Sequence, residues 1–522
     1  LVFARSLTAG FLDFDDLRFL AHNPHLRDPS WADLRWMFGA NWVIWYPVTW
    51  LTWVSDRLLW GGGAFGYHLT NVLLHALNAA LAFRLFDRMM EAGGSNEPRT
   101  RRAAAAFAAL LFALHPLRVE SVTWASERSD VLCAAFALGT VLAWIDGRPA
   151  RALVLHALGL ASKGSNVALP LALAALDALA VTGPARPRGR RAAAWLSAML
   201  ALSAADGLLN VSLQRGVGAA WEPSAFGIAD RLAIAGASYA HGAAKTLWPT
   251  GLEGLYPMPR PFDPAAPGFL LAALAVAALT AAAWRIRRRA PGAAGAWGAY
   301  LLLAAPTAGF FKIGAHLFAD RYTYLPALGF AGLAGEGLRR VPPRARRGAA
   351  AGALAALTVL AALTWRRQGD WLDADRFWSA MVETDPRNGL ARTYLGLRRL
   401  REGRGADAER LLREAIAVDP GLGNAHNDLG NILANTGRPE EAIVHFRAAL
   451  AASPEHPVTR YNLALALIRT GRGDEAASAL RDELTLIRAR PKDALRDSFE
   501  PPPDEERTRR LLSALEARGF VR

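Results

Sequence analysis

Between about residues 67 and 365 the chain is a succession of apolar stretches separated by short arginine clusters, and few soluble folds tolerate that pattern. The stretches cover about residues 67–86, 103–118, 129–146, 152–162, 166–182, 192–212, 268–284, 294–311, 322–338 and 347–365. A helix needs roughly 20 apolar residues to cross the hydrocarbon core, so several of these are short. With 52% hydrophobic residues among 522, the composition agrees with a multi-span membrane protein. The first residues, Leu1 to Leu12, hold barely half a span, and the chain reads as beginning inside its first helix.

The net charge of +14 invites a nucleic-acid reading, but the basic residues sit in the loops between apolar stretches, where they act as orientation signals. Four clusters stand out: Arg84 to Arg102, Arg186 to Arg191, Arg285 to Arg289, and Arg339 to Arg347. All four are expected in the cytoplasm, and no nucleic-acid partner is expected. Lysine occurs at only four positions, which together with abundant Ala and Gly suggests a GC-rich bacterial source. The single cysteine, Cys133, excludes a disulfide framework and a cysteine-based zinc site.

With the arginine loops on one side, residues 119–128, 163–165, 213–224 and 313–321 fall on the other, together with the opening acidic run Phe11-Leu12-Asp13-Phe14-Asp15-Asp16. The stretch 225–249 contains Asp230, Arg231, His241 and Lys245, and a full crossing there would invert the parity, so it is expected to be re-entrant or interfacial. Residues 22–66 carry Trp31, Trp36, Trp42, Trp45, Trp50, Trp53 and Trp60. Aromatic enrichment of this kind predicts an outer loop with helices lying at the membrane surface.

Beyond Trp365 the sequence becomes charged and helical with a period of 34 residues. Pro386, Pro420 and Pro454 close successive units, and Gly403, Gly437 and Gly471 recur at the turns. Ala408, Ala442 and Ala476 keep the same interval, as small residues do where the two helices of a tetratricopeptide repeat cross. Three domains follow: a membrane domain over 1–366 with an outer loop 13–66, repeats over 367–487, and a tail over 488–522 with a helix near Glu505 to Arg518.

Polar side chains gather on the side opposite the arginine loops. The densest motif is His115-Pro116-Leu117-Arg118-Val119-Glu120-Ser121-Val122-Thr123-Trp124-Ala125-Ser126-Glu127-Arg128-Ser129-Asp130, readable by itself as a salt-bridged helix hairpin. Ser162-Lys163 and Asp320-Arg321-Tyr322 join it. A lipid-linked phosphate wants cationic donors, and Arg128, Lys163 and Arg321 supply them. Attack by a hydroxyl on an anomeric carbon wants a carboxylate to take the proton, and the opening acidic run supplies one. Each also has a structural alternative: snorkelling for Lys163, and pairing with Asp320 for Arg321. His68 and His75 share a helical face without a third ligand, and read as packing or hydrogen-bonding side chains instead of a zinc site.

These motifs, with Phe65-Gly66-Tyr67-His68-Leu69-Thr70-Asn71 and the trailing repeats, resemble the transmembrane and tetratricopeptide repeat-containing O-mannosyltransferases. The resemblance implies an all-α protein: a polytopic membrane domain of the GT-C glycosyltransferase type followed by a helical solenoid. It implies that Asp15 is the acceptor-activating base with Asp16 its neighbour, and that Arg128, Lys163, Arg321 and Tyr322 meet the donor. His115, Glu120, Glu127, Asp130 and Asp320 would line the pocket. The implied reaction moves a sugar, most simply mannose, from a polyprenyl phosphate to a protein hydroxyl at the outer face of a bacterial inner membrane. The repeats would hold the acceptor or a partner, and no cofactor is expected, although outer carboxylates such as Glu120 and Asp130 could take a divalent ion. The alternatives are transfer to a lipid or glycan, and a non-catalytic scaffold anchored in the membrane.

Overall fold

The computed structural model describes residues 1–39, 44–93, 97–216, 226–259, 262–310, 316–454, 456, 458–489 and 505–518. Trp42, most of the expected outer segment 213–224, residues 313–315, and Pro491 and Pro501 to Pro503 of the tail lie outside them. The described residues are helical apart from loops and one two-stranded antiparallel ribbon, in which Tyr256–Pro257 pairs with His316–Phe318. One compact unit comprises Leu1–Met258 and Phe262–Ala374, and Asp375–Arg522 makes up the bulk of a second.

In the first unit each predicted apolar stretch forms a helix, but the helices differ in reach. Among the described residues five are long and apolar enough to cross a membrane: Ala64–Ala92, Ala125–Ile145, Gly189–Gln214, Pro267–Ile286 and Pro343–Trp371. A sixth arises if Pro98–Ala113 and Pro116–Thr123 count as one span bent by 56°. The others are shorter, among them Pro149–Leu160, Leu169–Ala178, Pro291–Ala304 and Leu328–Arg339. Proline sets several of these limits: it occupies the first turn of three of them, where its missing N–H costs nothing, and it cannot continue a preceding helix. The chain is thus a helical membrane protein in which broken backbone is covered by neighbouring helices. The charged stretch expected not to cross forms the helix Ile228–Leu247, which is not among the five.

The tryptophan-rich segment differs from its expectation. It forms the helices Pro24–Arg27, Trp31–Phe38 and Pro47–Trp60, but Trp50 and Trp53 are 1% exposed. They pack with Leu20, Leu26, Met37, Tyr46 and Tyr67 into an aromatic core. Edge-to-face contact holds Trp50 to Trp53 at 5.0 Å, so these rings serve as core side chains, and among the described residues of the segment Trp31 and Trp60 are the tryptophans that keep broad exposure.

The second unit follows the 34-residue period. Helix pairs Gly389–Arg401 with Gly405–Val418, Gly423–Asn435 with Pro439–Ala452, and Thr459–Arg469 with Gly473–Ala489 alternate, after Ala374–Thr384. Gly403, Gly437 and Gly471 turn the chain at φ of 77°, 81° and 73°, a conformation that a side chain would strain. Ala408, Ala442 and Ala476 are fully buried at the helix crossings.

Candidate functional site

The opening acidic run folds back onto the His115–Asp130 motif. Its last residue, Asp16, is fully buried. The Leu12 backbone N–H donates to Asp16 Oδ2 at 2.9 Å and the Ser126 N–H donates to Oδ1 at 2.8 Å. Burial pushes its carboxyl up to about 7 although both hydrogen bonds oppose the shift. Both oxygens are committed to backbone, so Asp16 fastens one loop to another.

Asp15 is half-buried and faces a different environment. Loss of solvent, then the neighbouring Glu127 carboxylate, raises its pKa to about 6, against the opposing pull of Arg321, Arg18 and Lys163. Asp15 therefore lies within electrostatic reach of these carboxylate and cationic groups.

The cluster is assembled by a run of short turns. After the helix Pro98–Ala113, His115 caps the turn Pro116–Arg118, Val119–Thr123 adds one helical turn, and Ala125–Glu127 leads into the helix Arg128–Ile145. Such tight turns point Glu120, Glu127 and Asp130 to one place. Lys163, at the start of Gly164–Ala168, bridges Glu127 at 2.8 Å and Asp130 at 2.7 Å. Asp130 also accepts from the Ser121 hydroxyl at 2.9 Å. Arg321, in the turn Asp320–Thr323, pairs with Glu120 and lies 3.3 Å from Glu127. Its backbone N–H donates to the second Glu120 oxygen at 2.8 Å. The guanidinium carbon lies 5.4 Å from the Trp124 ring centre and 5.2 Å from that of Tyr322. Tyr322 shares a hydrogen bond of 2.6 Å with His316. The carboxylates raise the pKa of both Lys163 and Arg321, so both remain cationic.

Glu120, Glu127, Asp130, Lys163, Arg321 and Tyr322 are therefore brought together, with Asp15 at the edge. Arg128 is not brought to them. Its guanidinium is buried against Asp56, with hydrogen bonds to Asn71 Oδ1 at 2.8 Å, the Thr52 carbonyl at 3.2 Å and the Tyr67 carbonyl at 2.7 Å. A cation so fully engaged holds the aromatic core to the helix Ala64–Ala92 and is not placed to meet phosphate. Asp320 also turns away from Arg321: it accepts from Tyr256 at 2.9 Å and Arg367 at 2.7 Å. His115 is buried, donating from Nε2 to the Thr246 carbonyl at 3.1 Å while Nδ1 accepts from Leu117 N–H, which makes it a neutral structural cap. His75 likewise bonds Tyr324 at 2.6 Å and the Ala113 carbonyl at 3.0 Å.

Three participants escaped the sequence reading. Asp56 carried no signal in a tryptophan-rich segment. Arg367, distant from Asp320 in sequence, is brought to it only by the fold. Arg118 lay inside the motif, yet its burial and its hydrogen bond to Thr323 at 2.7 Å needed the fold. Among the described residues no three His, Cys, Asp or Glu side chains are arranged to hold a metal ion.

Comparisons with known proteins match the repeats of the second unit and find similarity to a group of named transferases. Tetratricopeptide-repeat family models match residues 393–457 and 436–482. The protein O-mannosyl-transferase TMTC4 of Mus musculus is 30% identical over 28% of this chain and 21% of its own length. TMTC4 of Homo sapiens is 32% identical over 27% and 21%. Tmtc3 of Drosophila melanogaster is 36% identical over 19% of this chain and 12% of its own length. The matches thus span less than a quarter of these relatives. Among solved structures, the translocator chaperone SycD of Yersinia enterocolitica is 18% identical over 27% of this chain and 88% of its own, with a TM-score of 0.22. The chain thus carries tetratricopeptide repeats and is similar, over 19–28% of its length, to the TMTC protein O-mannosyl-transferases.

Proposed function

We propose that this protein is a membrane glycosyltransferase of the GT-C type that moves a sugar, most simply mannose, from a polyprenyl phosphate to a hydroxyl of a protein acceptor. Asp15 is the base. The observation that carries this reading is its position beside Glu127, Arg321 and Lys163 with a pKa of about 6, close to where a general base works best at neutral pH. The acceptor oxygen attacks the anomeric carbon, its proton passes to the Asp15 carboxylate, and the bond from that carbon to the phosphate oxygen breaks. The phosphate leaves on its lipid without needing a proton. Arg321 and Lys163 stabilise the charge it gains, and each can give up one of the two carboxylates it now bridges to do so. Asp16 is a positioning residue: its two backbone hydrogen bonds orient the peptide that carries Asp15. The site faces away from the cytoplasm, and the repeats recognise the acceptor, as such arrays commonly bind peptides.

The test is transfer of labelled sugar from a panel of polyprenyl-phosphate donors in membranes carrying the full chain, with Asp15→Asn alongside. Transfer by the parent and its loss by orders of magnitude in an equally folded variant supports the reading. Equal transfer by both removes Asp15 from the chemistry, and no transfer from any donor, with a partner retained on the repeats, favours a scaffold.

A further inference from the structure

Away from the carboxylate cluster, the helices of the first unit leave a cavity of about 560 Å³. That volume lies in the range of ~300–1,000 Å³ that holds one small ligand. Its walls are apolar, built by Leu85, Leu138, Leu173, Leu303 and Leu333 from five helices. One end reaches Leu325 and Pro326, just after the Asp320–Thr323 turn, and the other opens between Arg289 and Arg340 with Glu336 between the walls. The helix Leu328–Arg339 separates these ends, and its 12 residues span about 18 Å at ~1.5 Å per residue.

Charge is unbalanced at the arginine end. Glu336 accepts from Arg339 at 2.7 Å and from Arg340 at 2.6 Å, so one carboxylate serves two guanidinium groups. Arg289 is exposed and makes no side-chain hydrogen bond or ion pair among the described residues. Glu91, beside the lining residue Ala92, is taken by Arg88 and Arg101. Arg285, Arg288, Arg344 and Arg347 belong to the same two arginine clusters of the sequence as Arg289 and Arg340. An apolar slot between membrane helices with an arginine mouth presents the two halves of a lipid site, one for an acyl chain and one for an anionic headgroup.

We propose that this cavity binds an anionic phospholipid of the leaflet that the arginine clusters face, with one acyl chain in the slot and its phosphate on Arg289 and Arg340. The occupant is distinct from the sugar donor, whose phosphate is required at Arg321 and Lys163, about one helix length away. The inference rests on reading the arginine loops as facing the cytoplasmic leaflet. It does not depend on sugar transfer.

The experiment is native mass spectrometry of the purified full chain equilibrated with equimolar dioleoyl-phosphatidylglycerol and dioleoyl-phosphatidylcholine. One phosphatidylglycerol per chain should be retained at least tenfold over phosphatidylcholine, and Arg289→Gln with Arg340→Gln should abolish that preference. Gly337→Phe offers a second route, because Gly337 lines the cavity and a Cβ there meets no atom within 4 Å. Its ring should fill the slot and release the lipid from a folded protein. Equal retention of the two lipids, or phosphatidylglycerol binding untouched by both variants, overturns the proposal. Displacement of phosphatidylglycerol by an uncharged polyprenol, itself blocked by Gly337→Phe, would instead assign the slot to the donor's tail. Lipid retention requires no donor turnover, so failure here leaves the role of Asp15 standing, and a catalytically silent chain can still bind lipid.

Discussion

Asp16 and Ser126, 110 positions apart, are joined by a hydrogen bond of 2.8 Å from the Ser126 backbone N–H to the Asp16 carboxylate. With the matching bond from Leu12, it makes a buried acidic side chain the clasp between the opening segment and the turns that present Glu120 and Glu127. Asp16→Ala leaves two buried N–H groups without an acceptor, at about 1–3 kcal/mol each. Thermal unfolding of the purified chain should therefore shift down clearly for Asp16→Ala and little for Asp15→Asn. The opposite order would exchange their roles.

Asp15 sets a pH dependence. A base with a pKa of about 6 is ionised above that pH, so transfer should be flat at neutral pH and fall tenfold per unit below about 6. The stability effect has the other sense. The folded carboxyls of Asp15 and Asp16 hold protons that the unfolded chain, at the ordinary 3.8, has released, so stability should decline as pH rises from about 4 to about 7. Initial rates and unfolding midpoints across that range check both slopes.

Arg128 separates structural from catalytic cations. Arg128→Gln leaves Asp56 buried without its partner, a loss of roughly 3–5 kcal/mol for a broken buried pair. Yield and unfolding midpoint should fall sharply. Arg321→Gln leaves buried Glu120 without its ion partner, so its midpoint should fall as well, and what sets it apart is a loss of transfer measured at equal amounts of folded protein. A donor-concentration series on both variants distinguishes the two outcomes.

Gly437 tests the repeat turns. Its φ of 81° lies in the left-handed region, and an added Cβ would touch nothing, so only backbone strain opposes Gly437→Ala. That strain is about 1–2 kcal/mol. Amide hydrogen exchange in the flanking helices Gly423–Asn435 and Pro439–Ala452 should accelerate accordingly, by about tenfold for ~1.4 kcal/mol.

The repeats were legible because a period of 34 residues places the same small residue at the same crossing three times, and Ala408, Ala442 and Ala476 are all fully buried. The polar cluster was legible for a different reason. Glu120, Glu127, Asp130, Lys163 and Arg321 are charges set among apolar stretches, where burial demands partners. Which partner each takes was not legible. Arg128 is next to Glu127 in the chain, yet successive residues at the start of a helix point in different directions, and Arg128 reaches Asp56 while Glu127 reaches Lys163. Nor could aromatic composition separate interfacial tryptophan from core tryptophan, since Trp50 and Trp60 belong to one helix and differ in exposure from 1% to 49%.

Asp320 and Arg321 are adjacent and pull in opposite directions, one toward Arg367 and Tyr256, the other toward Glu120 and Glu127. Arg367 lies near the end of the helix Arg346–Gln368, from which the chain continues into the repeats. Neighbouring residues of one turn therefore anchor that helix and the carboxylate cluster to the same stretch of backbone.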